Sequence, residues 1–197
     1  MFKNQNELIS RLTDKQMVQQ LYLTQAFLLL ASILLGFFLF QSFAEFMSLW
    51  NVSFYSIFFI GGGTALLVIA ADLLLVKFVP EHMLDDGGIN EKLFRSQSVP
   101  SIIFLTALIA VTEELLFRGI IQTHFGLFTA SIIFALLHFR YITKWVLFIM
   151  VVGVSFLLGI VFEATGSLLT TIFAHFIIDL VFALQIRISY KHRGDKG

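Results

Sequence analysis

The chain has 197 residues, 58% of them hydrophobic and 24 of them Phe, while only 13% are charged. A water-soluble domain of this length has too little interior to hide that much apolar surface, so composition excludes a soluble globule and points to an integral membrane protein. Net charge is zero and cysteine is absent, which gives no footing for a nucleic-acid partner and excludes disulfides.

In chain order, residues 1–20 are polar and mixed in charge. They lack the basic start, short apolar stretch and small-residue cleavage site of a signal peptide, so they read as a cytoplasmic N-terminal segment. Crossing a hydrocarbon core of about 30 Å takes roughly 20 apolar residues in a helix. The stretches that qualify are Leu21–Phe40, Phe54–Val79, Ser101–Ile121, Gly126–Phe139, Trp145–Phe162 and Ser167–Ile188, the fourth of them short. Open strands cannot cross a bilayer because their edges would be left unpaired there. The predicted fold class is therefore all-α, a multi-pass bundle of about six transmembrane helices around a polar intramembrane cavity.

Residues 21–100 hold the first two helices and an inner loop, 101–188 a core of four helices, and 189–197 a cytoplasmic tail. Asn90 is expected to cap a short amphipathic helix that lays Leu93 and Phe94 along the membrane surface. Gly61–Gly63 suit close helix packing. Asp72 is expected to face the bundle interior. His82, His124 and His192 read as solvated, Glu45 and Glu163 as outer-boundary groups, and Asp85 and Asp86 as a solvated turn.

Lys and Arg set the orientation. With the N-terminus inside, Lys3, Arg11, Lys15, Lys77, Lys92, Arg95, Arg140, Lys144, Arg187, Lys191, Arg193 and Lys196 all fall on the inner side. Only Arg118 falls outward. The expectation is a multi-pass protein with both termini cytoplasmic, in a bacterial cell membrane.

The stretch "LIAVTEELLFRGII", 108–121, carries the chemistry. A charge at mid-bilayer costs about 2.5–3.5 kcal/mol on insertion scales, so Glu113, Glu114 and Arg118 need a reason to be there. Glu114 and Arg118 stand at i and i+4, about 40° apart around the helix, and suit an ion pair. Glu113 is left to find a partner on another helix. The same spacing joins Phe134 to His138 in the fourth stretch and His175 to Asp179 in the sixth. Three apolar helices with polar groups on one face imply one shared polar site.

These motifs in this order, Glu-Glu-x-x-x-Arg, Phe-x-x-x-His and His-x-x-x-Asp, resemble the CAAX-protease and bacteriocin-processing (CPBP, or Abi) family of intramembrane endopeptidases. The resemblance covers roughly residues 101–185. It implies peptide-bond hydrolysis, with Glu113, His138, His175 and Asp179 catalytic and Glu114, Arg118 and Phe134 in support. Glu113 with His138 would deprotonate a water, and His175 would face the carbonyl oxygen as it gains charge. The eukaryotic endopeptidases have Asn where this chain has Asp179. An ionised Asp accepts hydrogen bonds only, so it would serve an oxyanion when protonated, or instead fix a His tautomer or bind metal.

Glu113, His138 and His175 would also make a three-ligand zinc site, and the glutamate-and-water mechanism needs no metal. The cofactor is open at this point. The partners expected are the lipid bilayer and a membrane protein or peptide substrate. Two other function classes fit the sequence, a non-proteolytic membrane adaptor of the same fold and a small proton-relay transporter. The transporter would show paired broken helices, and no such symmetry is found.

Overall fold

Helix starts are set by side-chain caps. Thr13 and Gln16 form a capping box, in which the Gln16 N–H donates to Thr13 Oγ1 and the Thr13 N–H to Gln16 Oε1, and α1 (Asp14–Leu39) begins there. Ser98 caps α6 (Val99–Glu114) by a single bond, its Oγ accepting from the Ser101 N–H, with Pro100 in the first turn, where a missing N–H costs nothing. The structure is a computed structural model and describes residues 12–138, 141–142 and 144–194. Lys3, Arg11, Phe139, Arg140 and Lys196, together with most of the 1–20 segment, lie outside the described residues.

Between α1 and α6 come α2 (Phe43–Ser48), a π-helical stretch Tyr55–Gly61 that runs into α3 (Gly62–Phe78), α4 (Glu81–Leu84) and α5 (Ile89–Phe94). After α6 a second π-helical stretch, Leu115–Gln122, leads into α7 (Thr123–Leu137), followed by α8 (Trp145–Thr165) and α9 (Leu168–Gly194). Among the described residues there is no strand, only an isolated bridge between Trp50 and Ser167.

The burial pattern is inverted relative to a water-soluble protein. Phe37 and Phe38 on α1 are 81% and 78% exposed, whereas Arg118 is fully buried and heads the large side chains that are. Apolar surface of that extent is stable in lipid, where the drive to bury it vanishes, and polar side chains turn inward to one another. The protein is integral to the membrane.

By length and composition five helices can cross a bilayer, and one of them, Val99–Leu137, is 39 residues long. A straight helix of that length would reach about 58 Å, nearly twice a bilayer core. It does not run straight. Gly126 has φ 82° and ψ 167°, a conformation that essentially only glycine adopts. Phe117 and Phe134, about 25 Å apart in a continuous helix, stack edge to face at 4.8 Å. The chain therefore turns back at Gly126, and Val99–Leu137 supplies two helical segments rather than one, which brings the bundle near the six stretches expected from composition.

Two clusters of contacts mark the ends of the bundle. At one, Arg95 holds Asp14 through two hydrogen bonds of 2.8 and 2.7 Å, Lys92 Nζ donates to Leu12 O, Arg187 Nε to Gln97 O, and Arg193 pairs with Glu91. At the other, the Leu168 N–H donates to Leu49 O and Ser167 Oγ to Asn51 O. The N-terminal helix start, the 81–97 loop and the C-terminal helix thus share one face, and the 41–53 and 163–167 turns share the opposite one.

Several local expectations need correction. The first helix begins at Asp14 rather than Leu21, because the Thr13 box extends it through polar residues. Asn90 does not cap α5. Asp86 does, its carboxylate accepting the N–H groups of Gly88, Ile89 and Asn90. Leu93 and Phe94 do not lie along the membrane surface; they are buried with Met17, Ile102, Leu105 and Ala183. His124 is not solvated, since its Nδ1–H donates to Ile120 O, Phe40 packs on its ring at 4.7 Å, and its Nε2 is buried. Of the three glycines only Gly61 is a close-packing position, where a Cβ would stand 2.8 Å from Thr170 O.

Candidate active site

The site forms where the end of α6 and the π-helical stretch meet α9. Glu114 is wholly buried and its two oxygens serve different partners. Oε2 stands 3.3 Å from Arg118 Nε, and Oε1 accepts from His175 Nδ1 at 2.9 Å. The first contact is the i, i+4 pair read from the sequence. The second joins residues 61 positions apart and ties the two motif helices together.

His175 is the hub. With Nδ1 held by Glu114, its other nitrogen, Nε2, faces Glu113 Oε2 at 4.0 Å and Asp179 Oδ2 at 3.5 Å. Glu113 thus meets His175 across the helix boundary. In α9 the ladder Thr171, His175, Asp179 lies on one side at i, i+4, i+8 spacing. Thr171 is fully buried, the His175 side chain is 10% exposed and Asp179 26%. Access rises along that ladder toward the end of the bundle that holds the described chain ends. Glu113, 15% exposed, shares the accessible edge, while Glu114 and Arg118 form the sealed back wall.

His138 ends α7. Its Nδ1–H donates to Phe134 O at 2.9 Å, which leaves the Nε2 lone pair as the basic position of the neutral ring. Phe134 links it to the charged cluster, stacking on the His138 ring at 4.5 Å and placing its own face 5.9 Å from the Arg118 guanidinium. Among the described residues no group of three or more His, Asp or Glu side chains is arranged to hold a metal ion.

The backbone is adapted to this traffic. Glu114 is the last α-helical residue before the π-helical stretch, a widened turn found often at functional sites. The Arg118 carbonyl accepts from Thr123 Oγ1 at 3.0 Å.

Sequence reading missed the neighbours of Arg118. Arg118 Nη2 donates to Ser155 Oγ at 3.2 Å, and one turn on Gln122 Nε2 donates to Gly159 O at 2.8 Å. A signal was present, since Ser155, Gly159 and Glu163 repeat at i, i+4, i+8 in an otherwise apolar helix. Also missed was Gln25 of α1, whose side-chain oxygen accepts from Thr112 Oγ1 beside Glu113.

A protein-family model described as type II CAAX prenyl endopeptidase Rce1-like matches residues 95–181, the segment that contains Glu113, His138, His175 and Asp179. The chain is 51% identical over 171 residues to the uncharacterized protein YpbD of Bacillus subtilis (strain 168), covering 87% of this chain and 90% of that protein. No solved structure matches.

Proposed function

The chain belongs to the Rce1-like family of type II CAAX prenyl endopeptidases, and from that premise we propose that it hydrolyses a peptide bond in a membrane-embedded or membrane-adjacent protein. One observation carries the assignment of roles. Glu114 occupies one nitrogen of His175, while Glu113, on the accessible edge, faces the other at 4.0 Å.

Glu113 is the general base. It takes one proton from a water whose oxygen attacks the peptide carbonyl carbon, while His138 Nε2 accepts a hydrogen bond from the O–H that the water keeps. The carbonyl electrons move onto the oxygen, and His175 donates to this oxyanion from Nε2. Because Nδ1–H is already engaged by Glu114, that donation needs a proton on both ring nitrogens. Asp179, 3.5 Å from Nε2, orients that edge of the ring rather than replacing the Asn of the eukaryotic enzymes as a donor. When the tetrahedral intermediate collapses, the leaving amine takes the proton held by Glu113.

This route uses no metal ion. Both termini lie in the cytoplasm of a bacterial cell, and the site opens on that side. The test is comparative membrane proteomics of the wild type and a Glu113→Ala strain, read as a protein that stays uncleaved only in the variant. Identical proteomes would favour the adaptor reading. Purified activity that dies in chelator and returns with zinc would put Glu113, His138 and His175 on a metal instead.

A further inference from the structure

Arg118 presents an unusual demand, because a buried guanidinium offers five N–H donors and Glu114 answers only part of them. A further partner, for Nη2, comes from α8, a helix that contributes no motif residue. Arg118 and Gln122 lie at i, i+4 on the π-helical stretch, and Ser155 and Gly159 lie at i, i+4 on α8, so the two pairs meet rung by rung. Arg118 Nη2 bonds Ser155 Oγ at 3.2 Å, and Gln122 Nε2 bonds Gly159 O at 2.8 Å. Gln122 Nε2 also reaches Glu163 Oε1, the next α8 residue at that spacing, at 3.4 Å. Ser155 is fully buried and Gln122 nearly so.

Gly159 is the tightest point of this contact. A Cβ there would stand 2.8 Å from Gln122 Oε1, 2.2 Å from Leu127 Cδ1 and 3.5 Å from Arg118 Nη1. Leu127 can swing its methyl away. The Gln122 amide has no such freedom without giving up its bond to the Gly159 carbonyl.

Resting on the reading of the site above, we propose that Gln122, Ser155 and Gly159 are positioning residues: α8 fixes Arg118, Arg118 fixes Glu114, and Glu114 fixes the ring of His175. None of the three touches the reacting atoms. Their effect runs through a chain of contacts of 3.2 Å (Ser155 to Arg118), 3.3 Å (Arg118 to Glu114) and 2.9 Å (Glu114 to His175). The groups that face His175 are Glu113 and Glu114 from α6 and Asp179 from α9, so loosening Glu114 leaves the ring to the other two.

The test uses the full chain in detergent micelles with selectively ¹⁵N-labelled histidine, His175 being assigned by its loss in His175→Gln. Long-range ¹H–¹⁵N correlations then report which ring nitrogen carries a proton. In the wild type the His175 Nδ1 resonance is that of a protonated nitrogen in a hydrogen bond. Ser155→Ala and Gly159→Ala are expected to shift it, and Ser155→Thr, which keeps the hydroxyl, to restore it. Cleavage of the substrate found by proteomics falls on the order of ten- to a hundredfold in the Ala variants, as for a small misplacement of a catalytic group. If Gly159→Ala does not fold, Ser155→Ala decides alone, since it removes one atom. A His175 resonance unmoved in the folded Ser155→Ala variant would overturn the proposal. Glu113→Gln judges the reading of the site separately: full cleavage there would sink that reading while the resonance still decided the role of α8.

Discussion

Arg118 and Glu113 illustrate two different uses of a charge in the membrane. Arg118 is fully enclosed, and its loss strips the buried Glu114 of its guanidinium partner. Removing one partner of a buried pair costs about 3–5 kcal/mol, so Arg118→Ala should lower thermal stability and folded yield in detergent sharply. Glu113 sits on the accessible edge, and Glu113→Gln changes its shape hardly at all. That variant should fold to the wild-type yield and lose proteolysis, and His138→Ala should do the same; wild-type cleavage by Glu113→Gln would remove it as the base. Much of this site was legible because its pairs are local. Glu114–Arg118, Phe134–His138 and His175–Asp179 are all i, i+4, a spacing that any helix converts into contact. The Glu114–His175 bond was not legible, since it depends on how two helices 61 residues apart in sequence are rotated. Ser155 and Gly159 were overlooked for a related reason: small residues in an apolar helix carry no charge that demands an explanation.

The five helices long enough to cross were legible as elements because the bilayer thickness sets a length that composition must meet. What composition does not encode is the backbone within them. Both π-helical stretches, Tyr55–Gly61 and Leu115–Gln122, are built from residues equally at home in an α-helix. The short helix α5 was legible from its Leu and Phe, but an apolar face suits lipid and protein alike, and here protein covers it. The reversal at Gly126 gives the sharpest test at this scale. A Cβ there would meet nothing within 4 Å, so any cost of Gly126→Ala comes from the backbone alone. The strained conformation predicts a loss of about 1–3 kcal/mol, read as a lower melting temperature in detergent. Gly153 in α8 also has open space around it but an ordinary helical backbone. Gly153→Ala should therefore be neutral or stabilise by roughly 0.5–1 kcal/mol. Equal behaviour of the two variants would mean that the chain does not turn back at Gly126.

For the whole molecule, sidedness and fold make separable statements. The fold places Asp14, Glu91, Arg95 and Arg193 at one end of the bundle and Leu49, Trp50 and Ser167 at the other, through contacts that no choice of orientation alters. The charge distribution then predicts which end is inside, because Lys and Arg resist transfer across the membrane during insertion. Among the described residues Lys92, Arg95, Arg187, Lys191 and Arg193 all belong to the first end or extend from it. The chain has no cysteine, so single cysteines can be introduced and labelled in intact cells with an impermeant thiol reagent. Asp85→Cys and Arg193→Cys replace exposed residues at the first end, and Val52→Cys an exposed residue at the second. The expected pattern is labelling of Val52→Cys from outside, and of the other two only after the cells are made permeable. If all three positions exchanged behaviour together, the bundle would be inverted in the membrane with its fold intact, and the site would open to the exterior. If Asp85→Cys and Arg193→Cys disagreed with each other, no orientation could reconcile them, and the clustering of the 81–97 loop with the C-terminal helix would be wrong.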